Sequence, residues 1–189
     1  MIVRDCLGVS LGLGYNGVMD PCHLEYEPLV AALSARGVRF LAPSDARPAP
    51  EPIGDLDLIA CLANHDHPRL RLALAALFIV HPELAGQLES LELSPAAQTE
   101  LRTQYTAAAC LQRMWSIRLS FYLGEFQLLP DLYSTSLGLP PVDVHYGKLS
   151  LHTLAARQPF DQLPAYDGLM GLVFGQLKAE AIHEHATAR

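Results

Sequence analysis

Apolar and polar positions change period several times along this chain, and each change marks an expected element. Residues 1–20 alternate short apolar runs with Gly8, Gly12, Gly14 and Gly17, the pattern of a strand running into a glycine turn. Pro28 is suited to a first helical position, Leu29, Val30 and Leu33 share the face that follows, and Gly37 supplies a left-handed stop. Val38–Ala42 (VRFLA) is strand-like again, so residues 1–42 predict a small β-α-β element. Prolines 43, 48, 50 and 52 make 43–54 a semi-rigid linker or loop.

From residue 55 to 189 the pattern is helical, and one helical domain is expected. Asp55 begins a helix through Leu62. Asp66-His67-Pro68 begins another that reaches about Val80, apolar on every side and therefore a core helix. Ser94-Pro95 pairs a capping hydroxyl with proline at the first helical position, and no breaker follows until Gly124. That spacing predicts an unbroken helix over about 95–123, roughly 43 Å long. One stripe on it runs Leu101, Tyr105, Ala108, Leu111, Trp115, Leu119, Tyr122. A second, nearly opposite, runs Cys110, Met114, Ile117, Phe121, so the C-terminal half needs cover on two faces. Residues 125–147, with Pro130, Pro140 and Pro141, read as an irregular crossing, and Lys148–Arg157 as a short helix. A last helix starts at Asp167 and reaches about His183. Beside its apolar face, Gly171, Gly175 and Ala179 form a ridge of small residues that permits close helix contact.

The fold class that follows is mainly α: a bundle around the long helix, with the β-α-β element appended. An α+β arrangement, pairing residues 1–42 with 142–146 (VDVHY), is the alternative. Asp66–Leu77 resembles one helix of a HEAT-type repeat, but no second copy follows at the period of about 40 residues that such repeats keep.

Composition narrows the function classes. Half of the 189 residues are hydrophobic and 17% are charged, which supplies a core and leaves a sparsely charged surface. Net charge is −7 and no cluster of Lys and Arg appears, so nucleic-acid binding is disfavoured. The longest apolar run, Leu72–Val80, is far short of the ~20 residues that cross a bilayer, and the first residues lack a signal-peptide layout. Cys6, Cys22, Cys61 and Cys110 follow no framework spacing, so reduced thiols and a cytoplasmic setting are expected.

Candidate chemistry is sparse. Gly12–Gly17 has the G-x-G-x-x-G spacing of dinucleotide sites, but Pro21 and Pro28 interrupt the helix that would bind the pyrophosphate. Gly8–Gly12 has the G-x-S-x-G spacing of a nucleophile elbow, without the strands that should precede it. Cys22-His23 places a thiol beside an imidazole on neighbouring residues that point apart, and His183-Glu184-His185 spreads its imidazoles around a helix. His65-Asp66, at the end of the apolar run Leu58–Leu62, resembles the dyad of HD-type metal phosphohydrolases. That resemblance implies a divalent metal activating water, with His23, His65, Asp66 and His67 as the nearest ligand candidates and Asp131 or Asp143 as a later one. Asn64 and His67-Pro68 depart from the motif's apolar flanks. The reading that residue types favour is a non-enzymatic interaction or regulatory protein, an accessory subunit or antitoxin-like chain. It needs no cofactor and engages a protein partner or a second copy. Its expected contact residues are Cys110, Met114, Ile117 and Phe121 on the long helix, with Gly171 and Gly175 on the last.

Overall fold

A computed structural model describes residues 25–41, 52–158 and 162–187. Among the described residues seven α-helices follow one another: α1 (Tyr26–Ala35), α2 (Asp55–Asn64), α3 (Pro68–Val80), α4 (Pro95–Met114), α5 (Ser116–Leu123), α6 (Lys148–Ala156) and α7 (Leu163–Thr187). A 3-10 stretch, Pro82–Ser90, joins α3 to α4. No strand occurs among the described residues, so the class is mainly α.

The expected β-α-β element is not found in the part that is described. Its central helix exists as α1, and the Gly37 stop is there (φ 76°). Val38–Phe40, however, is irregular chain: Val38 is buried against the core instead of pairing with a strand. Residues 1–24 and 42–51 lie outside the described residues. The alternative pairing through 142–146 fails as well, because that segment forms a tight turn.

Local chemistry sets the helix starts. The Ser94 hydroxyl accepts from the Ala97 N–H at 3.3 Å, with Pro95 behind it where a missing N–H costs nothing. At α3, Pro68 holds the first position and the His67 ring nitrogen takes the Arg69 N–H at 3.3 Å. The last helix begins at Leu163, four residues before Asp167.

α3 and α4 form the centre. Leu70, Leu74, Leu77, Phe78 and Ile79 are fully buried on α3, each worth ~1.5–3 kcal/mol against exposure. Alanines 73, 75 and 76 on α3 and 107–109 on α4 are buried too, and such small side chains let helix axes approach closely. One polar residue stitches this centre: Gln112, fully buried, donates to the Ile79 carbonyl at 3.1 Å and accepts from the Leu129 N–H at 2.7 Å. α1 is tied to α2 by Arg36, whose guanidinium meets Asp55 at 2.7 Å. Gln176 fastens α7 to the 37–39 segment, accepting from the Arg39 N–H at 2.8 Å and donating to the Gly37 carbonyl.

The expected rod over 95–123 is broken. α4 spans 20 residues, about 30 Å, and Trp115 then leaves the helical region at φ −116°, ψ 15°. Hydrogen bonds continue through the break, Trp115 N–H to Leu111 at 3.0 Å and Leu119 N–H to Trp115 at 2.9 Å, so this is a kink without a loop. Its cause is tertiary. Trp115, Arg118 and Tyr122 all converge on the Phe174 ring of α7, at 5.6, 4.0 and 6.3 Å. No glycine or proline marks the site in the sequence.

Candidate functional site

The kink creates the most distinctive surface of the molecule. Bent toward α7, α5 buries only Leu119 fully and turns Ile117 and Phe121 outward, 89% and 80% exposed. These two stand one helical turn apart and form a single apolar ridge.

Opposite the ridge, the chain makes an unusual turn just before α6. His145 (φ 50°, ψ 39°), Tyr146 (φ 54°, ψ 37°) and Gly147 (φ 83°, ψ −15°) are consecutive left-handed residues. For the two non-glycines this costs about 1–2 kcal/mol each. The surroundings over-determine the turn, as such strain requires. Gly147 lies so close to α4 that a Cβ there would sit 2.6 Å from the Cys110 carbonyl oxygen. Arg113 reaches from α4 to Asp143 at 2.5 Å and also donates to the carbonyls of Ala109 and Leu129, each at 3.0 Å. Asp131 accepts from the Val142 N–H at 3.0 Å and the Ser134 hydroxyl at 2.6 Å, and Ser150 donates to the Pro140 carbonyl at 2.8 Å. Burial alone would raise the Asp131 carboxyl. The hydrogen bonds from Ser134 and Val142, with Arg113 nearby, hold it below the usual range instead. The product of all this is Tyr146, aimed into solvent and 78% exposed.

Between ridge and turn runs an open groove of about 580 Å³. Met114, Trp115, Ile117 and Tyr146 give it an apolar lining, and Arg113, Arg118, His145 and Lys148 stand around them. No acidic side chain lines it. Arg113 is neutralised by Asp143 and Arg118 stacks on Phe174, whereas Lys148 has no acidic partner among the described residues. The Trp115 indole N–H is buried in the wall and finds no acceptor among the described residues.

Of the expected contact residues, Met114, Ile117 and Phe121 belong to this surface. Cys110 does not: it is fully buried beneath Gly147, and burial pushes its thiol up to about 12, so it is neither a contact nor a nucleophile. Gly171 and Gly175 lie on the outer face of α7 with nothing within 4 Å of where a Cβ would stand, so no helix among the described residues packs on that ridge. Tyr146, His145, Arg118 and Lys148 were missed by residue patterns. The one available signal was Gly147, a residue type suited to the left-handed position at the end of the turn.

The His65-Asp66-His67 corner joins α2 to α3. The His65 ring nitrogen accepts from the His67 N–H at 3.0 Å, and the His67 ring in turn caps α3, with ring centres 6.5 Å apart. Burial, His67 and Arg71 lower the His65 pKa against the opposing pull of Asp66. These rings serve the backbone, and no group of three or more His, Cys, Asp or Glu side chains is placed to hold a metal among the described residues. His23, Cys22 and the glycine run 8–17 lie outside the described residues. A second, more polar cleft of about 470 Å³ lies beyond this corner, where Arg71 faces Glu100 at 3.7 Å and Gln104 bonds Glu100 at 2.9 Å. Arg71 and Glu100 are matched to one another there, and Arg69 also lines the cleft.

Among the described residues no single helix is long and apolar enough to cross a membrane. Comparison with known protein families, curated proteins and solved structures finds no match for this chain.

Proposed function

We propose that this chain is a non-enzymatic interaction protein, an accessory or regulatory subunit, which docks a protein partner in the groove between α5 and the 145–147 turn. The observation that carries the reading is the exposure of Ile117 and Tyr146 on the lining of one apolar groove, with exposed Phe121 one helical turn beyond Ile117. Each of these side chains left in water forgoes ~1.5–3 kcal/mol of burial. Other large apolar side chains are exposed too, up to 60% at Ile182 on α7, but the three most exposed among the described residues gather here. The turn that presents Tyr146 adds backbone strain at the same place, and strain of this kind gathers at functional surfaces.

The reading is tested by tagging the chain in the cells that make it and purifying it under native conditions. The comparison is with Ile117→Gln/Phe121→Gln, which removes the apolar ridge without adding charge, and with Gln87→Glu, a change on the exposed 3-10 stretch. The expected outcome is a stoichiometric protein partner with the unaltered chain and with Gln87→Glu, lost from the double variant. Equal recovery from the double variant, or no partner with any of the three, refutes it.

A further inference from the structure

We infer that the occupant of this groove is an acidic amphipathic segment of the partner, lying along the groove as a helix; this rests on the docking reading above. Three observations decide the chemistry. First, with Arg113 neutralised by Asp143, the groove's remaining charged residues are Arg118 and Lys148, with no carboxylate among its lining, on a chain whose net charge is −7. The local sign is opposite to that of the whole molecule, and Lys148 is unmatched within the described chain, so the complementary surface is negative. Second, the ridge Ile117–Phe121 repeats at one helical turn and the groove lining beneath it is Met114, Trp115 and Tyr146. That is the form which accepts apolar residues at i, i+3/i+4 and i+7 of a docked helix.

Third, the other occupants fit less well. A second copy meeting face to face would bring Arg118 and Lys148 against their own images, a like-charge contact that costs affinity. A bilayer would meet only a concave patch of three large exposed side chains on an acidic chain, where surface helices need an extended apolar face and a basic balance.

The probe is a synthetic amphipathic peptide of about 18 residues, long enough to be helical when bound, with leucines on one face and glutamates on the other. Its twin carries lysines in place of the glutamates. Trp115 is the only tryptophan of the chain and lines the groove, so its emission reports occupancy directly. The glutamate peptide is expected to shift Trp115 emission saturably, and the lysine twin to bind at least about tenfold more weakly. Lys148→Glu, at the first position of α6 where an acid suits the helix, is expected to weaken the glutamate peptide roughly fivefold, and added salt to weaken it further.

Equal binding of the two peptides, no binding of either, or indifference to Lys148→Glu overturns the acidic partner. If the Ile117→Gln/Phe121→Gln variant has lost its native partner, the docking reading then survives without it. A Trp115 shift with phosphatidylserine-containing vesicles but with neither peptide also overturns the inference, in favour of a membrane. So does a sedimenting dimer that Phe121→Gln dissociates, in favour of a second copy.

Discussion

Gly147→Ala is the substitution that most sharply examines how the groove is built. The glycine is at φ 83°, where an alanine pays about 1–2 kcal/mol for its Cβ. In addition the new Cβ would stand 2.6 Å from the Cys110 carbonyl oxygen, 2.7 Å from its Cα and 3.0 Å from its carbonyl carbon, all backbone atoms of the central helix that cannot swing aside. Forcing α4 and the turn apart adds about 1–3 kcal/mol by analogy with overpacked cores. The sum is about 2–5 kcal/mol of lost stability. Gly138→Ala separates the two contributions, because Gly138 is at φ 61° and the nearest atom to its Cβ would be the Arg157 guanidinium at a comfortable 3.7 Å. It keeps the backbone cost and lacks the collision. Urea unfolding of both variants, with unchanged slopes, is expected to place Gly147→Ala about 1–3 kcal/mol below Gly138→Ala. Trp115 emission in the folded state is expected to change only in Gly147→Ala. Equal stabilities for the two variants, or a Gly147→Ala protein within about 0.5 kcal/mol of the parent, would refute the claim that contact with Cys110 holds the turn.

Three further outcomes follow from the same structure. Gln112→Leu fills similar space but strands the Leu129 N–H and the Ile79 carbonyl in the core, and is expected to cost about 2–5 kcal/mol in denaturant unfolding. Gly171→Ala and Gly175→Ala are expected to raise stability by about 0.5–1 kcal/mol each, since both are helical glycines with open space around them, and a fall in thermal midpoint would contradict this. The Asp131 carboxyl is held below its ordinary value of 3.8, so the stability it contributes is present above that pH and is lost as pH falls through its folded value. Asp131→Asn should therefore unfold less steeply than the parent on acidification below about pH 4, and identical acid profiles would show that the carboxylate does not brace the 131–142 loop.

How much of this was legible in the residues varies with the kind of force involved. Helix starts were clear wherever the chemistry is local, as at Ser94-Pro95, His67-Pro68 and Lys148. The apolar face of α4 from Leu101 to Leu111 was equally clear, because a 3.6-residue period survives whatever packs on it. The kink at Trp115 was not, since it depends on Phe174, about 60 residues away in the sequence, and on no breaker nearby. The strand expected at 38–42 rested on β-branched and aromatic types, which also suit an irregular segment sealed against a core, as Val38 and Leu41 are. Patterning gathered Cys110, Met114, Ile117 and Phe121 into one stripe but could not say which of them the protein covers itself. The break divides them: Cys110 goes to the core, Met114 to the groove, and Ile117 and Phe121 to the surface. Tyr146 was invisible for a different reason, because two non-glycine residues in left-handed conformation are imposed by the clamps around them and not by their own preferences.

The claim at the centre is that a protein partner sits on α5 and the 145–147 turn. A photo-crosslinking amino acid placed one position at a time at 117, 121 and 146, and for comparison at 87, 171 and 175, maps that contact in the cells that make the chain. One discrete heavier product is expected from the first three positions and none from the others. Products from 171 and 175 with silence at 117, 121 and 146 would contradict it.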